Sequence, residues 1–168
     1  MKMQDLTRKV AVMTGAASRS GVNGSFVKTK PEVWKTQVHA NLYGVLNCIH
    51  AAIPLLKGRD GAMSSSMSSV GGCYGIVKWS VYNAVKFALV GFHDPLGKEG
   101  IRVALIEPGS MWTEWGHNVP KEVMRQRRES LDALTAKDVA QALAYSFAQH
   151  PRVLVEEILI RPVKQVAP

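Results

Sequence analysis

The stretch Ser68-Ser69-Val70-Gly71-Gly72 through Tyr82-Asn83-Ala84-Val85-Lys86, running on into Phe87-Ala88-Leu89-Val90-Gly91-Phe92, decides how the rest of the chain is read. Tyr82 and Lys86 stand four residues apart, so on a helix they share one face, one turn apart, with the ammonium within reach of the phenol. A free tyrosine titrates near pH ~10, and a cation a few ångströms away favours its phenolate. The spacing therefore predicts a tyrosine brought towards proton exchange at neutral pH, with the Ser69 hydroxyl completing the site. The plainer reading of each residue is a packed helical tyrosine and a solvated lysine. Tyr74 and Lys78 repeat the spacing, but Gly75 disfavours a helix there, and the position thirteen before Tyr74 is Gly61, which has no hydroxyl. Thirteen before Tyr82 is Ser69; Ser68 is its competitor, and only the spacing favours Ser69.

Outward from this stretch, strands and helices alternate. Lys9 to Thr14 is a short apolar run with β-branched residues that reads as a buried strand, followed by the small-residue turn Thr14-Gly15-Ala16-Ala17-Ser18-Arg19-Ser20-Gly21. A glycine-rich turn after a strand brings backbone N–H groups against a phosphate, or is simply a tight turn. Pro31 to Leu56 carries apolar residues at helical spacing, with Asn41 inside the pattern and Pro54 and Gly58 closing it. Ala62 to Met67 takes the next strand position, although Ser64, Ser65 and Ser66 stand where a central strand favours Val or Ile. Ser80 to Leu96 reads as the helix bearing Tyr82 and Lys86, with Pro95 and Gly97 expected to end it early. Ile101 to Glu107 is a strand stopped by Pro108-Gly109, Ser110 to Pro120 is loop, and Lys121 to Ser130 is helical. Thr135 caps a helix through Ala148 with Asp138 three residues on, and Glu157 to Ile160 is a last strand. Such alternation predicts an α/β fold with a mainly parallel sheet.

At 168 residues, 46% of them apolar, the chain fits one domain with a sizeable core. Its amino terminus lacks the apolar segment of a signal peptide, and no run reaches a membrane span, so the expectation is a soluble cytoplasmic protein. The net charge of +8 is scattered apart from Lys121 to Arg128, a mixed run without interleaved aromatics, which argues against nucleic acid as a partner. Cys48 and Cys73 show no C-x-x-C spacing, and His39, His50, His93, His117 and His150 show no ligand spacing, so no metal is implied.

The order Thr14-Gly15-x-x-x-x-x-Gly21, Asn41 in a helix, Ser69, Tyr82-x-x-x-Lys86 and Pro108-Gly109-x-x-x-Thr113 resembles the short-chain dehydrogenase/reductase family. Nearly every segment of the chain finds a counterpart there. The resemblance implies one Rossmann-like domain over residues 1–168, with a doubly wound, mainly parallel sheet that binds NAD or NADP. It implies an oxidoreductase interconverting an alcohol and a carbonyl, with Tyr82 as general acid/base, Ser69 orienting the substrate oxygen, and Lys86 lowering the tyrosine pKa and holding the nicotinamide ribose. Asn41 would position a water that relays protons through Lys86. Thr14, Gly15, Ser18, Arg19 and Gly21 fall to the cofactor turn, Gly15 and Gly21 lining the pyrophosphate and Arg19 reaching a 2′-phosphate, which favours NADP. Pro108, Gly109 and Thr113 would contact the nicotinamide side. The loop holding Met111, Trp112 and Trp115 would cover the site, hinting at an apolar or ring-containing alcohol or ketone. In the family the helices corresponding to Pro31–Leu56 and Ser80–Leu96 form the dimer interface, which implies a homodimer or homotetramer.

The chain departs from that pattern in one large respect. In the family two strand–helix units and a further strand lie between the glycine-rich turn and the asparagine helix; here Gly21 runs almost directly into Val22-Asn23-Gly24-Ser25-Phe26. On the order of 60 residues are absent at average element lengths. They include the residue that reads the adenosine ribose and the strand between the first strand and the one before Ser69, so a sheet reduced in strand number is expected. Arg19 also stands where a glycine of the turn belongs. A second reading is therefore a catalytically impaired remnant that acts as a non-enzymatic binding or dimerisation module.

Overall fold

The strand read most clearly from the sequence is also the one most completely enclosed: all of β3 (Arg102–Pro108) is buried. A continuous apolar run is what a strand covered on both faces requires. The computed structural model describes residues 9–15, 21, 24–112 and 120–166. Among them β1 (Ala11–Thr14), β2 (Met63–Met67), β3 and β4 (Glu157–Ile160) form a four-stranded sheet in the order β1-β2-β3-β4, every pair parallel. The helices are α1 (Pro31–Val38) and α2 (Gly44–Leu56), joined through a π-helical segment His39–Tyr43, then α3 (Ser80–Leu96), α4 (Lys121–Leu131) and α5 (Ala136–Phe147). The expected α/β architecture is present, with helices on both sheet faces. Alternate strand residues point to opposite faces; Val103 and Leu105 pack with Leu56 of α2 and Leu89 of α3, whereas Arg102 reaches α5.

The absent segment changes the pairing. β1 lies directly against β2 in the register Ala11↔Met63 to Thr14↔Ser66, so it fills the position of the strand expected between them. The serine strand is real and central, with Ser64, Ser65 and Ser66 fully buried, contrary to the expectation that serines weaken it. Small side chains let the layers approach on both faces, and Ser66 Oγ shares a 2.7 Å hydrogen bond with Thr14 Oγ1, tying β1 to β2 by side chains as well as backbone. Pro95 does not end α3 early: the helix runs through it to Leu96 and closes in the 3₁₀ turn Gly97–Glu99. Pro54 likewise sits inside α2, and Gly58 at φ +76° follows the helix end.

At its amino end α5 carries the expected reciprocal cap. Thr135 Oγ1 accepts the Asp138 N–H, and the Asp138 carboxylate accepts the Thr135 N–H at 2.7 Å. At the other end, buried Arg102 donates to the carbonyls of Gln149 (3.2 Å), Phe147 (3.2 Å) and Gly61 (2.7 Å). A guanidinium there complements the negative helix terminus and bolts α5 to the start of β3. Arg102→Met removes this fork and leaves enclosed carbonyls without donors, which should cost about 3 kcal/mol. Urea denaturation of the variant should show a lower midpoint at unchanged slope, and Arg102→Lys should recover only part of the loss.

Candidate active site

β2 delivers its carboxyl end to the site. Past Met67 the chain turns, and Ser69 caps the 3₁₀ turn Val70–Gly72 by accepting the Gly71 N–H at 3.1 Å. The two adjacent serines have different work. Ser68 Oγ donates to the Lys86 carbonyl at 3.2 Å, anchoring α3 to the end of β2. Ser69, the serine that the spacing favoured, is hydrogen-bonded to the Tyr82 phenol. The decoy is also resolved: Lys78 has φ 68°, so Tyr74 and Lys78 do not share a helix.

Tyr82 and Lys86 occupy the first turns of α3. The Tyr82 ring stands edge-on to Trp79 at 5.7 Å and lies against Gly71, where an added Cβ would come within 3.0 Å of the ring. Lys86 Nζ sits 5.6 Å from the centre of the Tyr82 ring and donates to the Met67 carbonyl at 2.9 Å. Tyr82 is 8% exposed and Lys86 2%. Burial pushes the phenol up to about 12, with the Ser69 hydrogen bond pulling the other way, and burial pulls Lys86 down to about 8. This corrects the expectation that Lys86 brings Tyr82 towards neutral pH. The ammonium lies over the ring and is bound to Met67, and desolvation of the enclosed phenolate outweighs it.

Asn41 lies 2% exposed in the π-helical segment, its Nδ2 donating to Gln37 O at 3.0 Å. The segment packs against α3. A π turn widens the helix locally and is how an otherwise regular helix can aim one side chain inward. Pro108 ends β3, and its carbonyl lies 3.5 Å from Ser69 Oγ. Gly109 follows, but the contact that demands glycine there is with Arg161 and Gln165: an added Cβ would lie 2.8 Å from Arg161 Cβ. Thr14 is buried beside Ser66, and Gly15 at φ +77° opens the turn beyond it. Gly21 is buried. Ser18, Arg19 and Thr113, like Trp115, fall outside the described residues.

The sequence did not single out Gly71, Gly72 or Glu107. Gly71 makes room for the Tyr82 ring, and a Cβ at Gly72 would meet Ser68 Oγ at 2.5 Å, Lys86 O at 3.0 Å and Glu107 Oε1 at 3.2 Å. Their signal was the Gly-Gly pair directly after the serines. Glu107 is buried behind this turn, accepting the Cys73 thiol at 3.0 Å. Burial raises its carboxyl above the usual range and the Glu157 charge adds to the rise, against the thiol hydrogen bond. The Cys73 thiol is pushed up to about 12, by burial first and then by Glu107.

Set beside known proteins, residues 4–153 match a family model described as Enoyl-(Acyl carrier protein) reductase. The chain belongs to the short-chain dehydrogenase/reductase family of oxidoreductases. An oxidoreductase of Staphylococcus saprophyticus is 30% identical over 142 residues, which is 79% of this chain and 55% of that protein. The serine 3-dehydrogenase of Rhizobium radiobacter is 30% identical over 141 residues, with the same coverages of 79% and 55%. The chain thus spans about half the length of the curated relatives it matches. Among solved structures, the closed form of serine dehydrogenase complexed with NADP⁺ superimposes with a TM-score of 0.84 at 22% identity, over 94% of this chain and 66% of that one. A small-chain dehydrogenase in complex with NADPH gives 0.81 at 17% identity, over 94% and 74%. At these identities the structures establish the fold.

Glu107 yields a test of the packing behind the site. Because its folded pKa lies above the ordinary carboxylate value, the native state holds the proton more tightly, and its stability contribution is lost as pH rises through the folded pKa. Glu107→Gln removes that charge. The urea midpoint of the variant should exceed the parent's at pH 8, with the difference shrinking towards pH 4; a difference independent of pH would contradict the burial of a titrating Glu107.

Proposed function

We propose that this chain is a nicotinamide-dependent oxidoreductase site for a small alcohol or ketone, in which Tyr82 moves the proton at the substrate oxygen. The observation that carries the reading is the Ser69 hydroxyl hydrogen-bonded to the Tyr82 phenol, at the carboxyl end of a parallel strand, with Lys86 enclosed beside both. In open α/β sheets ligands lie at the carboxyl ends of strands. Of the three Lys86 donors, one goes to Met67 O, which leaves two for the hydroxyls of a ribose, so the residues present suit the nicotinamide end of the cofactor. When bound, the nicotinamide supplies or accepts the hydride.

The chain's own residues handle the oxygen and its proton. Tyr82 donates the phenolic proton to a carbonyl oxygen as it becomes an alcohol, and Ser69 donates a hydrogen bond to the same oxygen, where negative charge builds in the transition state. Lys86 stabilises the phenolate left behind, and Asn41, held inward by its π turn, orients a water that returns a proton through Lys86. The NADP⁺ and NADPH in the solved neighbours support the phosphorylated cofactor. Half-buried Met111 and exposed Trp112 at the start of the loop after β3 support an apolar substrate. An apolar groove of about 360 Å³ lined by Phe26, Val38, Leu42, Val81, Ala84 and Val85, on the helices expected to form the dimer, supports self-association.

The test is turnover. Purified protein mixed with NADPH and a panel of ketones should consume nicotinamide absorbance at 340 nm, and Tyr82→Phe should lower kcat by about 10²- to 10⁴-fold with an unchanged circular dichroism spectrum. Full activity in the Phe variant would refute the role given to Tyr82.

A further inference from the structure

Beyond β4 the usual burial pattern is inverted. Val163 and Val166 are 100% and 86% exposed, whereas Gln165 between them is 6% exposed. Enclosing a polar side chain while two valines stay in water is unfavourable unless the amide finds a hydrogen bond inside. The turn that brings it in is closed by the Gln165 N–H, which donates to the Pro162 carbonyl at 3.0 Å.

The side chain meets the backbone that leaves the carboxyl end of β3. The Gly109 N–H donates to the Ile160 carbonyl of β4 at 2.8 Å, and the next N–H, that of Ser110, donates to Gln165 Oε1 at 2.8 Å. Gly109 is caught between these two links: a Cβ there would collide with Gln165 Oε1 and lie 2.8 Å from Arg161 Cβ. Packing this tight leaves the Pro108–Gly109–Ser110 backbone little room to shift. Pro108 carries the constraint to the site. Its carbonyl lies 3.5 Å from Ser69 Oγ, which accepts the Gly71 N–H at 3.1 Å and is hydrogen-bonded to the Tyr82 phenol. At that separation the contact is at the limit of a hydrogen bond, so a small displacement of Pro108 decides whether the Ser69 proton has an acceptor on that side.

We infer that Gln165 is a positioning residue of the site: by accepting the Ser110 N–H it fixes the Pro108 carbonyl against Ser69, and with it the direction of the Ser69 hydroxyl at the Tyr82 phenol. The inference rests on the Ser69–Tyr82 reading above and extends it to the segment after β4.

Amide hydrogen exchange of the full chain, read by NMR at Ser110 and Gly71, tests this beside ketone reduction with NADPH. Gln165→Met removes the acceptor at similar volume, Gln165→Asn withdraws it by a methylene, and Gln165→Glu keeps an oxygen at the same reach. Relative to the Leu105 amide of β3, which reports global opening, both amides should exchange about tenfold faster in Gln165→Met and Gln165→Asn, as expected for one lost hydrogen bond. In the same two variants kcat should fall about tenfold with KM within about twofold of the parent's. Gln165→Glu should return both exchange rates and kcat to within about threefold of the parent. Faster exchange at Ser110 with Gly71 and kcat unchanged would overturn the inference, as would a Gln165→Glu variant no better than Gln165→Met. A parent that reduces no ketone would count against the proposed function, and the Gly71 amide would still decide the role of Gln165.

Discussion

The 2.9 Å hydrogen bond from Lys86 Nζ to the Met67 carbonyl joins the last residue of β2 to the second turn of α3, and the site depends on it. An enclosed ammonium must find acceptors, and here the acceptor is a strand terminus whose own geometry is fixed by pairing with β1 and β3. A second link runs the other way, from Ser68 Oγ on the β2 side to the Lys86 carbonyl. With both in place, the helix cannot rotate or slide relative to the strand end without breaking one of them. Ser69 and Tyr82, one on each element, are thereby brought within a single hydrogen bond.

Enclosure has a cost that shows in the ionisation of both groups. Tyr82 is held neutral and Lys86 is shifted down, each because its charged form is poorly solvated. The two shifts move the groups apart, the phenol to about 12 and the ammonium to about 8, so Tyr82 holds its proton more tightly and Lys86 releases its own more readily. Local packing keeps this arrangement tight: Gly71 and Gly72 leave no volume for a side chain between the turn, the Tyr82 ring and Glu107. Burial raises the Glu107 carboxyl, and the Cys73 thiol donates to it at 3.0 Å.

Much of this was legible in the sequence because it is local. The helix of Tyr82 and Lys86, the Thr135–Asp138 cap and the strand Glu157–Ile160 follow from spacing, capping chemistry and apolar runs over a few residues. What the sequence concealed is set by contacts between distant segments. Serines in β2 look like a poor strand until Thr14 supplies a partner for Ser66 and helices cover both faces. Spacing favoured Ser69 over Ser68, but the hydrogen bond from Ser68 Oγ to the Lys86 carbonyl joins distant segments and no spacing rule encodes it. The π segment at Asn41 has the composition of an ordinary amphipathic helix. The upward shift of Tyr82 follows from enclosure, which a count of nearby charges does not reveal.

The remaining tension lies between the proposed proton-handling group and a chain spanning about half the length of its relatives. The physical resolution is that the group draws its geometry from β2, β3 and α3, whose mutual contacts lie on the side of the sheet that is retained. Ser69 reaches Pro108 on β3, Lys86 reaches Met67 on β2, and Leu89 of α3 packs on Leu105 of β3. None of these passes through the strands that are missing. What β1 supplies is cover for the edge of β2, and a four-residue strand in register with Met63–Ser66 is enough for that. The proposed site draws its geometry from β2, β3 and α3, so it does not depend on strands that the family resemblance would place beyond β1.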